Sequence, residues 1–182
     1  MAFKDTILSF EEDKIVTEDD REVMMSWEAP IMEKSAEYIC ESKGDILEIG
    51  FGMGICSDYI QSQDVNSHTI VEIHPQVIEK LKVWSEDKDN VTIVEGDWDS
   101  LELGTYDGIF LDTFADYSLD KFKEFAIAKS NPSAKITYWN NFADNRNKYG
   151  FDDISFEEIS VSPEDNMYTK IIDTYYMPKV GL

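Results

Sequence analysis

The chain has 182 residues, of which 42% are hydrophobic and 13% aromatic, so it is long and apolar enough to form one domain with its own core. Its formal net charge is −22, from 38 acidic and 16 basic residues. This argues against binding a nucleic-acid backbone or an anionic membrane surface, because both need a basic face. The charge fits a cationic ligand or, more commonly, a well-solvated acidic surface.

The cysteines and histidines of the chain predict neither a disulfide framework nor a metal site. Cys40, Cys56, His68 and His74 do not have the spacing of metal ligands. The first residues, MAFKDTILSFEEDK, are acidic where a signal peptide would be apolar, and no stretch of the sequence reaches transmembrane length. We therefore expect a cytoplasmic protein in a reducing environment.

Residues 1–43 are predicted to form a helical N-terminal extension that acts as a lid. The first 22 residues are mixed and polar, and they predict a short helix or an arm. Two helical stretches are expected between Asp19 and Cys40, joined near Pro30, which suits the first turn of the second helix. Gly44 is a plausible C-cap for that helix.

Residues 44–182 predict a Rossmann-like core. Short apolar runs alternate with helical stretches, which indicates crossover units and a mainly parallel sheet; the runs are DILEIG, HTIVEIH, VTIVEGDW, YDGIFLDT and KITYWNN. Near the end, SFEEISVSP and YTKIIDTYYM flank a short stretch that contains EDN, which predicts an antiparallel hairpin. The expected fold is a single α/β domain on a doubly wound sheet of about seven strands.

A glycine-rich loop follows the first strand of this core. LEIGFGMG places Glu48, Gly50, Gly52 and Gly54 where the backbone must turn tightly and approach a ligand closely before a helix begins. In the dinucleotide fingerprint the third glycine would fall at Ile55, so the spacing differs. The loop fits an adenosine with a short zwitterionic tail better than a pyrophosphate, although many glycine-rich turns bind nothing.

The next three strands also end near acidic residues. Glu72 lies about twenty residues past the loop, where a carboxylate can accept hydrogen bonds from both ribose hydroxyls. Asp97, beside Trp98, is placed to accept from an adenine amino group, and Asp112 ends the fourth strand. Each alone is equally well explained as a cap or a surface carboxylate. Together they favour a nucleoside-type ligand, because the carboxyl ends of parallel strands share one edge of the sheet.

Five segments, VMMSWEAPIM, DILEIGFGMG, IVEIH, EGDW and GIFLDT, together resemble the guanidinoacetate N-methyltransferase family and the related type IV arginine methyltransferases. These are class I enzymes that use S-adenosyl-L-methionine. The resemblance runs from about Val23 to YYMPKV near the C-terminus, and its W-E-x-P-x-M and G-F-G-M elements are more specific than the glycine loop alone.

The resemblance implies a site residue by residue. The residues implied to bind the cofactor are Met24, Met32, Glu48, Gly50, Phe51, Gly52, Met53, Gly54, Ile55, Cys56, Glu72, Ile73, His74, Asp97 and Trp98. Glu28 and Asp112 are implied to hold the guanidino group of the acceptor, and we also place Thr113, Asn140 and Asn141 at the acceptor. The alternative for the methionines is ordinary core packing, and the alternative for Glu28 is a solvated turn before Pro30.

Paired carboxylates suit the chemistry of a guanidine. A guanidine is protonated at neutral pH and is then a poor nucleophile. Carboxylates matched to its planar fork orient one nitrogen toward the methyl group, and one of them accepts the proton that methylation releases. We expect Asp112 to be this base, because it ends a rigid strand, and Glu28 to be its partner.

The acceptor itself stays open. Phe142 and Ala143 stand where the family has hydroxyl residues that contact the acceptor's carboxylate, which leaves Asn140, Asn141 or Arg146 for that contact. The favoured function is methylation of a guanidino or amino group on a small molecule. The alternatives are a protein arginine methyltransferase, an inactive cofactor-binding module and, last, an NAD-dependent dehydrogenase.

Overall fold

The computed structural model describes residues 2–116, 118–163, 171 and 173–182. The strands within these residues are β1 Leu8–Phe10, β2 Lys14–Thr17, β3 Glu22–Met25, β4 Asp45–Ile49, β5 Ser67–Glu72, β6 Val91–Glu95, β7 Tyr106–Leu111, β8 Ser130–Tyr138, β9 Ile154–Ser160 and β10 Thr174–Gly181. The α-helices are α1 Ala29–Ile39, α2 Ile55–Gln61, α3 Pro75–Ser85 and α4 Phe122–Ala128. Across the described ranges, none of the helices has the length and apolar character needed to cross a membrane.

Strands β4 to β10 form one sheet of seven strands in the order β6-β5-β4-β7-β8-β10-β9. The first five in this order pair in parallel, whereas β10 is antiparallel to both β8 and β9. The predicted doubly wound, mostly parallel sheet with an antiparallel C-terminal pair is therefore confirmed. The turn predicted at 164–166 lies outside the described residues. The strand order reverses between β4 and β7, which is where such sheets bind ligands.

The two central strands are buried on both faces, which explains why they read as continuous apolar runs. Ile46 of β4 and Phe110 of β7 belong to the cluster that contains α1, whereas Leu47 and Ile109 pack with Phe122 of α4 on the other face. Helices on both faces hold the middle of the sheet rigidly. The loops that follow β4 and β7 are therefore well positioned for a binding site.

The N-terminal extension differs from the prediction. It is helical in α1, but β1, β2 and β3 form a separate antiparallel sheet of three strands, where a short helix or an arm and then a further helical stretch were expected. Leu8 and Ile15 are buried in a cluster with Phe51 and with Val77 of α3. The strands have three or four residues each, too few for alternation to be recognised, and their packing on the core decides their conformation.

Two side chains at the start of α3 hold this extension against the core. The Gln76 side chain accepts from Leu8 N at 2.8 Å and donates to Leu8 O at 3.1 Å. His74 Nδ1 accepts from Gln76 N, so its Nε2 carries the proton and donates to Thr6 O at 3.1 Å. The extension is thus fixed by directed hydrogen bonds as well as by apolar contact.

Gly50 joins the ends of β4 and β7. Its φ is +93°, and a Cβ at this position would stand 1.9 Å from Asp112 O. Gly50 N also donates to Val71 O, and Asp112 N donates to Ile49 O, each at 2.9 Å. Only glycine allows the two loops to approach this closely.

We expect Gly50→Ala to lower the free energy of unfolding by roughly 2–4 kcal/mol, because the new methyl group displaces the backbone of Asp112 and strains a positive φ. Urea denaturation measures this. The control is Gly104→Ala, where an added Cβ meets nothing within 4 Å and the change should stay within about 0.5 kcal/mol. Equal effects of the two substitutions would contradict the tight contact at Gly50.

Candidate active site

A cavity of about 770 Å³ lies at the carboxyl ends of β4, β5, β6 and β7. This volume is within the range of small-molecule sites. The predicted cofactor residues that line it are Met24, Met32, Glu48, Gly50, Phe51, Gly52, Cys56, Glu72, Ile73, Asp97 and Trp98. The two predicted acceptor residues that line it are Asp112 and Thr113. The structure thus brings together residues that are widely separated in the sequence.

Four residues predicted to touch the cofactor are not among those lining the cavity: Met53, Gly54, Ile55 and His74. Gly54 is the N-cap of α2, with φ +79°, and Ile55 begins that helix. Met53 N donates to Met24 Sδ at 3.1 Å, so it supports a residue that does line the cavity. His74 caps α3 and binds the extension. Direct contacts of these four with a cofactor stay predictions.

The extension and the glycine loop build one side of the cavity together. Met24, in β3, covers Gly52 so closely that a Cβ there would lie 2.4 Å from Met24 Sδ. Phe51 is buried, and its ring centroid lies 5.4 Å from that of Trp84. The loop conformation therefore depends on contacts from both sides.

Glu72, at the end of β5, is buried and held by three backbone amides. Phe51 N donates to Oε2 at 2.9 Å, and Ile73 N and His74 N each donate to Oε1 at 2.8 Å. Burial raises the pKa of Glu72, and these hydrogen bonds oppose the rise. A carboxylate offers about four lone-pair positions, so roughly one remains for a ligand hydroxyl.

Glu28 and Asp112 interact electrostatically inside the protein. Glu28 is only 3% exposed, and its Oε1 accepts from Met25 N at 2.9 Å. Burial raises its pKa well above the usual value, and the neighbouring Asp112 charge raises it further. Burial, followed by Glu48, raises the pKa of Asp112 to about 7, while Lys148 opposes this. Asp112 lines the cavity, whereas Glu28 is not among its lining residues.

Tyr175, on β10, is a third member of this group that the sequence analysis missed. It is 1% exposed, and its hydroxyl oxygen accepts from Asn140 N at 2.7 Å. Burial raises the pKa of this phenol, and the charges of Asp112 and Glu28 raise it further. A tyrosine in an apolar strand offers no sequence signal of such a position.

A second cavity of about 260 Å³ adjoins the first and shares four residues with it, which are Thr113, Phe114, Ala115 and Asp116. Asn141 lines the second cavity, whereas Asn140 lines neither cavity, and the contact of Asn141 with an acceptor stays a prediction. The Asn140 side chain donates to Asp144 O and Tyr176 O and accepts from Phe142 N. It therefore braces the loop after β8, and its contact with an acceptor stays a prediction.

Lys148 lines this second cavity and is its cationic residue. Its Nζ donates to Trp139 O at 2.7 Å and lies 4.8 Å from the centroid of the Tyr149 ring. Burial lowers the pKa of Lys148 to about 8, while the charge of Asp112 acts to raise it. The sequence analysis missed this residue, because a lysine within a polar run gives no pattern.

Asp116 connects the loops that follow β6 and β7. Its Oδ2 accepts from Trp98 Nε1 at 2.7 Å and from Thr113 Oγ1 at 3.0 Å, and its Oδ1 accepts from Ser118 N at 2.7 Å. The sequence analysis did not select it, although it follows Asp112 closely in the same loop. Asp116 therefore holds together the loops that lie between the two cavities.

A family model and several named relatives match the sequence of this chain. The family model of guanidinoacetate N-methyltransferase matches residues 3–162. Protein arginine N-methyltransferase 2 of Aspergillus oryzae is 40% identical over 102 residues, covering 54% of this chain and 24% of that protein. The protein of the same name in Saccharomyces cerevisiae is 42% identical over 101 residues, covering 51% of this chain and 24% of that protein. The match thus spans about a quarter of the length of these relatives.

Solved structures share the fold at low sequence identity. The N-methyltransferase NodS from Bradyrhizobium japonicum, in complex with S-adenosyl-L-homocysteine, has a TM-score of 0.65 at 10% identity over 85% of this chain and 87% of that one. Spermidine synthase from Thermotoga maritima has a TM-score of 0.68 at 12% identity over 96% of this chain and 72% of that one. The family model matches most of this chain, which shows that the chain belongs to the guanidinoacetate N-methyltransferase family.

Proposed function

We propose that this protein methylates a guanidino nitrogen of a small molecule that also carries an anionic group, as a guanidino acid does. The observation that carries the proposal is the pair of carboxyl groups formed by the buried Glu28 and the half-buried Asp112, with Lys148 lining the adjoining cavity. Two carboxyl groups beside one cation match a ligand with one guanidinium and one carboxylate.

The residues of the larger cavity fit S-adenosylmethionine. Glu72 has about one free lone-pair position for a ribose hydroxyl, and Asp97 supplies an acceptor near the end of β6. Glu48 lines the same cavity, and its Oε1 is buried without a hydrogen-bond partner, as expected of a group that binds a ligand donor. The glycine loop at Gly50–Gly54 allows the backbone to approach that ligand.

Glu28 and Asp112 are proposed to orient the guanidinium and accept its proton. The cofactor supplies a methyl group on a sulfonium, and the electron pair of the broken C–S bond stays on sulfur as the N–C bond forms. The proton of the attacking nitrogen moves to Asp112, which leaves a singly charged methylguanidinium. A bound guanidinium lowers the raised pKa values of both carboxyl groups, so Asp112 is ionised when the acceptor is present.

Lys148 supports an acceptor with an anionic tail. An ammonium group that is largely withdrawn from water binds a carboxylate more strongly than an exposed one. Its position near Asp112 is indicated by the effect of each charge on the pKa of the other. A guanidino acid would then span the boundary between the two cavities, with its ends held by opposite charges.

A protein arginine is the second candidate, and the names of the relatives favour it. The net charge of −22 would attract basic peptides. An arginine within a peptide has no carboxylate near its guanidinium, so Lys148 would have no partner in that acceptor. The response of each substrate to substitution of Lys148 separates the two candidates.

We expect Asp112→Asn to lower kcat/KM for guanidinoacetate by roughly a hundredfold or more, because the amide cannot accept the proton or balance the guanidinium charge. Methyl transfer from labelled cofactor is the measurement. Asp64→Asn, at an exposed position, is the matched control and should leave the rate unchanged. Full activity of Asp112→Asn would rule out its role as the base.

We expect Lys148→Met to raise KM for guanidinoacetate by about tenfold or more, since one charge-assisted hydrogen bond is lost. The KM for ethylguanidine, which has no carboxylate, should change little. Lys34→Met, on the exposed face of α1, serves as the control. Methylation of an arginine peptide but not of guanidinoacetate by the unsubstituted protein would instead support the second candidate.

Asp112 should also destabilise the folded protein at neutral and alkaline pH. Its pKa is raised from 3.8 to about 7, so between these values the folded state holds a proton that the unfolded state releases, and stability falls as pH rises. Asp112→Asn removes this effect. Its free energy of unfolding, relative to the unsubstituted protein, should rise by roughly 1–3 kcal/mol between pH 5 and pH 8. In urea denaturation Asp64→Asn should show no such trend, and a flat difference for Asp112→Asn would contradict the raised pKa.

A further inference from the structure

A buried chain of polar side chains runs beneath the glycine loop, from α2 across β5 to β4. Glu48 and His68 are both 0% exposed. Glu48 Oε2 accepts from Ser57 Oγ at 2.6 Å and is 2.8 Å from His68 Nε2. The far side of the imidazole meets Gln61, whose Nε2 is 3.1 Å from His68 Nδ1.

These partners assign the proton of His68. Because the Gln61 amide nitrogen can only donate, Nδ1 accepts and Nε2 carries the hydrogen of a neutral imidazole. His68 Nε2 and Ser57 Oγ therefore both donate to the same oxygen of Glu48. This fixes the orientation of the carboxylate and leaves Oε1 as its unused oxygen.

Glu48 Oε1 has no hydrogen-bond partner, although it is buried. The nearby thiols do not supply one, since the hydrogen bond of Cys56 Sγ goes to Met32 O at 3.9 Å. An unpaired buried acceptor costs about 1–3 kcal/mol, and more for a charged group. Glu48 also lines the larger cavity beside Gly50 and Phe51. A donor from a ligand in that cavity would remove the cost.

The family resemblance already implies that Glu48 contacts the cofactor; we propose that His68 is the positioning residue that holds Glu48 so that its Oε1 can accept from the α-ammonium group. The inference rests on cofactor binding in the larger cavity, as proposed above, and not on the identity of the acceptor. His68 itself does not line the cavity, so it acts only through Glu48. A carboxylate group suits an ammonium donor, because the hydrogen bond between them is charge-assisted.

The test compares two ligands by titration calorimetry. S-adenosylhomocysteine carries the amino acid tail, whereas 5′-methylthioadenosine has the same nucleoside and sulfur without that tail. His68→Phe should weaken the binding of S-adenosylhomocysteine by about tenfold and that of 5′-methylthioadenosine by less than about twofold. A charge-assisted hydrogen bond is lost only for S-adenosylhomocysteine. Glu48→Gln should show the same selective loss. Equal losses for both ligands, or no loss, would overturn the proposal.

His68→Gln provides the rescue, since an amide nitrogen near the position of Nε2 can still donate to Glu48 Oε2. We expect it to restore most of the affinity for S-adenosylhomocysteine, and failure to do so would count against the positioning role. If His68→Phe does not fold, Glu48→Gln and His68→Gln still decide the question. If the protein methylates no guanidine, the proposed function fails, but the affinities expected for these two ligands stay the same. The two proposals can therefore be contradicted separately.

Discussion

Four carboxyl groups that lie close together, three of them buried and one half-buried, constrain everything else at this site. Glu48, Glu72 and Asp112 lie at or just past the ends of parallel strands, and Glu28 approaches from the turn before α1. Burial raises the pKa of Glu28, Glu72 and Asp112. Ionising such groups together opposes folding, and ligands with positive charge relieve this repulsion. A sulfonium, an ammonium and a guanidinium are such ligands, so the proposed cofactor and the proposed acceptor would both relieve the repulsion.

The local partners of each carboxyl group suggest how its role differs. Glu72 accepts hydrogen bonds from three backbone amides and keeps about one free lone-pair position, and Glu48 is held by Ser57 and His68, so both are fixed acceptors for a ligand. Burial instead keeps the proton affinity of Glu28 and Asp112 high, and a nearby negative charge adds to it, that of Asp112 at Glu28 and that of Glu48 at Asp112, so a bound cation changes it easily. Fixed acceptors suit binding, and adjustable ones suit proton transfer.

The parts of the molecule that follow periodic patterns could be predicted from the sequence. The strands β4 to β8 are buried on both faces and read as apolar runs, and parallel strands necessarily bring their carboxyl ends to one edge. Glu48, Glu72 and Asp112 were placed by that rule alone. The small sheet of the extension was not predicted, and its residues were expected to form a short helix or an arm followed by a helical stretch, because its strands are too short to show alternation. Leu8 and Ile15 gain their conformation from packing on α3, which lies far away in the sequence.

The residues proposed to contact the acceptor could not be predicted from the sequence, for a related reason. Arg146, one candidate for the anionic tail of an acceptor, is ion-paired with Asp144 at 2.5 Å and lies 4.1 Å from the centroid of the Phe142 ring, at an exposed position. Lys148, two residues further on, is the residue whose amine enters the second cavity. Hydrogen bonds such as that from Lys148 Nζ to Trp139 O decide which cation of the loop lies at the cavity. No periodic pattern in the sequence predicts such bonds. The cofactor side therefore follows from the sheet, whereas the choice of acceptor follows from individual contacts in the loops after β7 and β8.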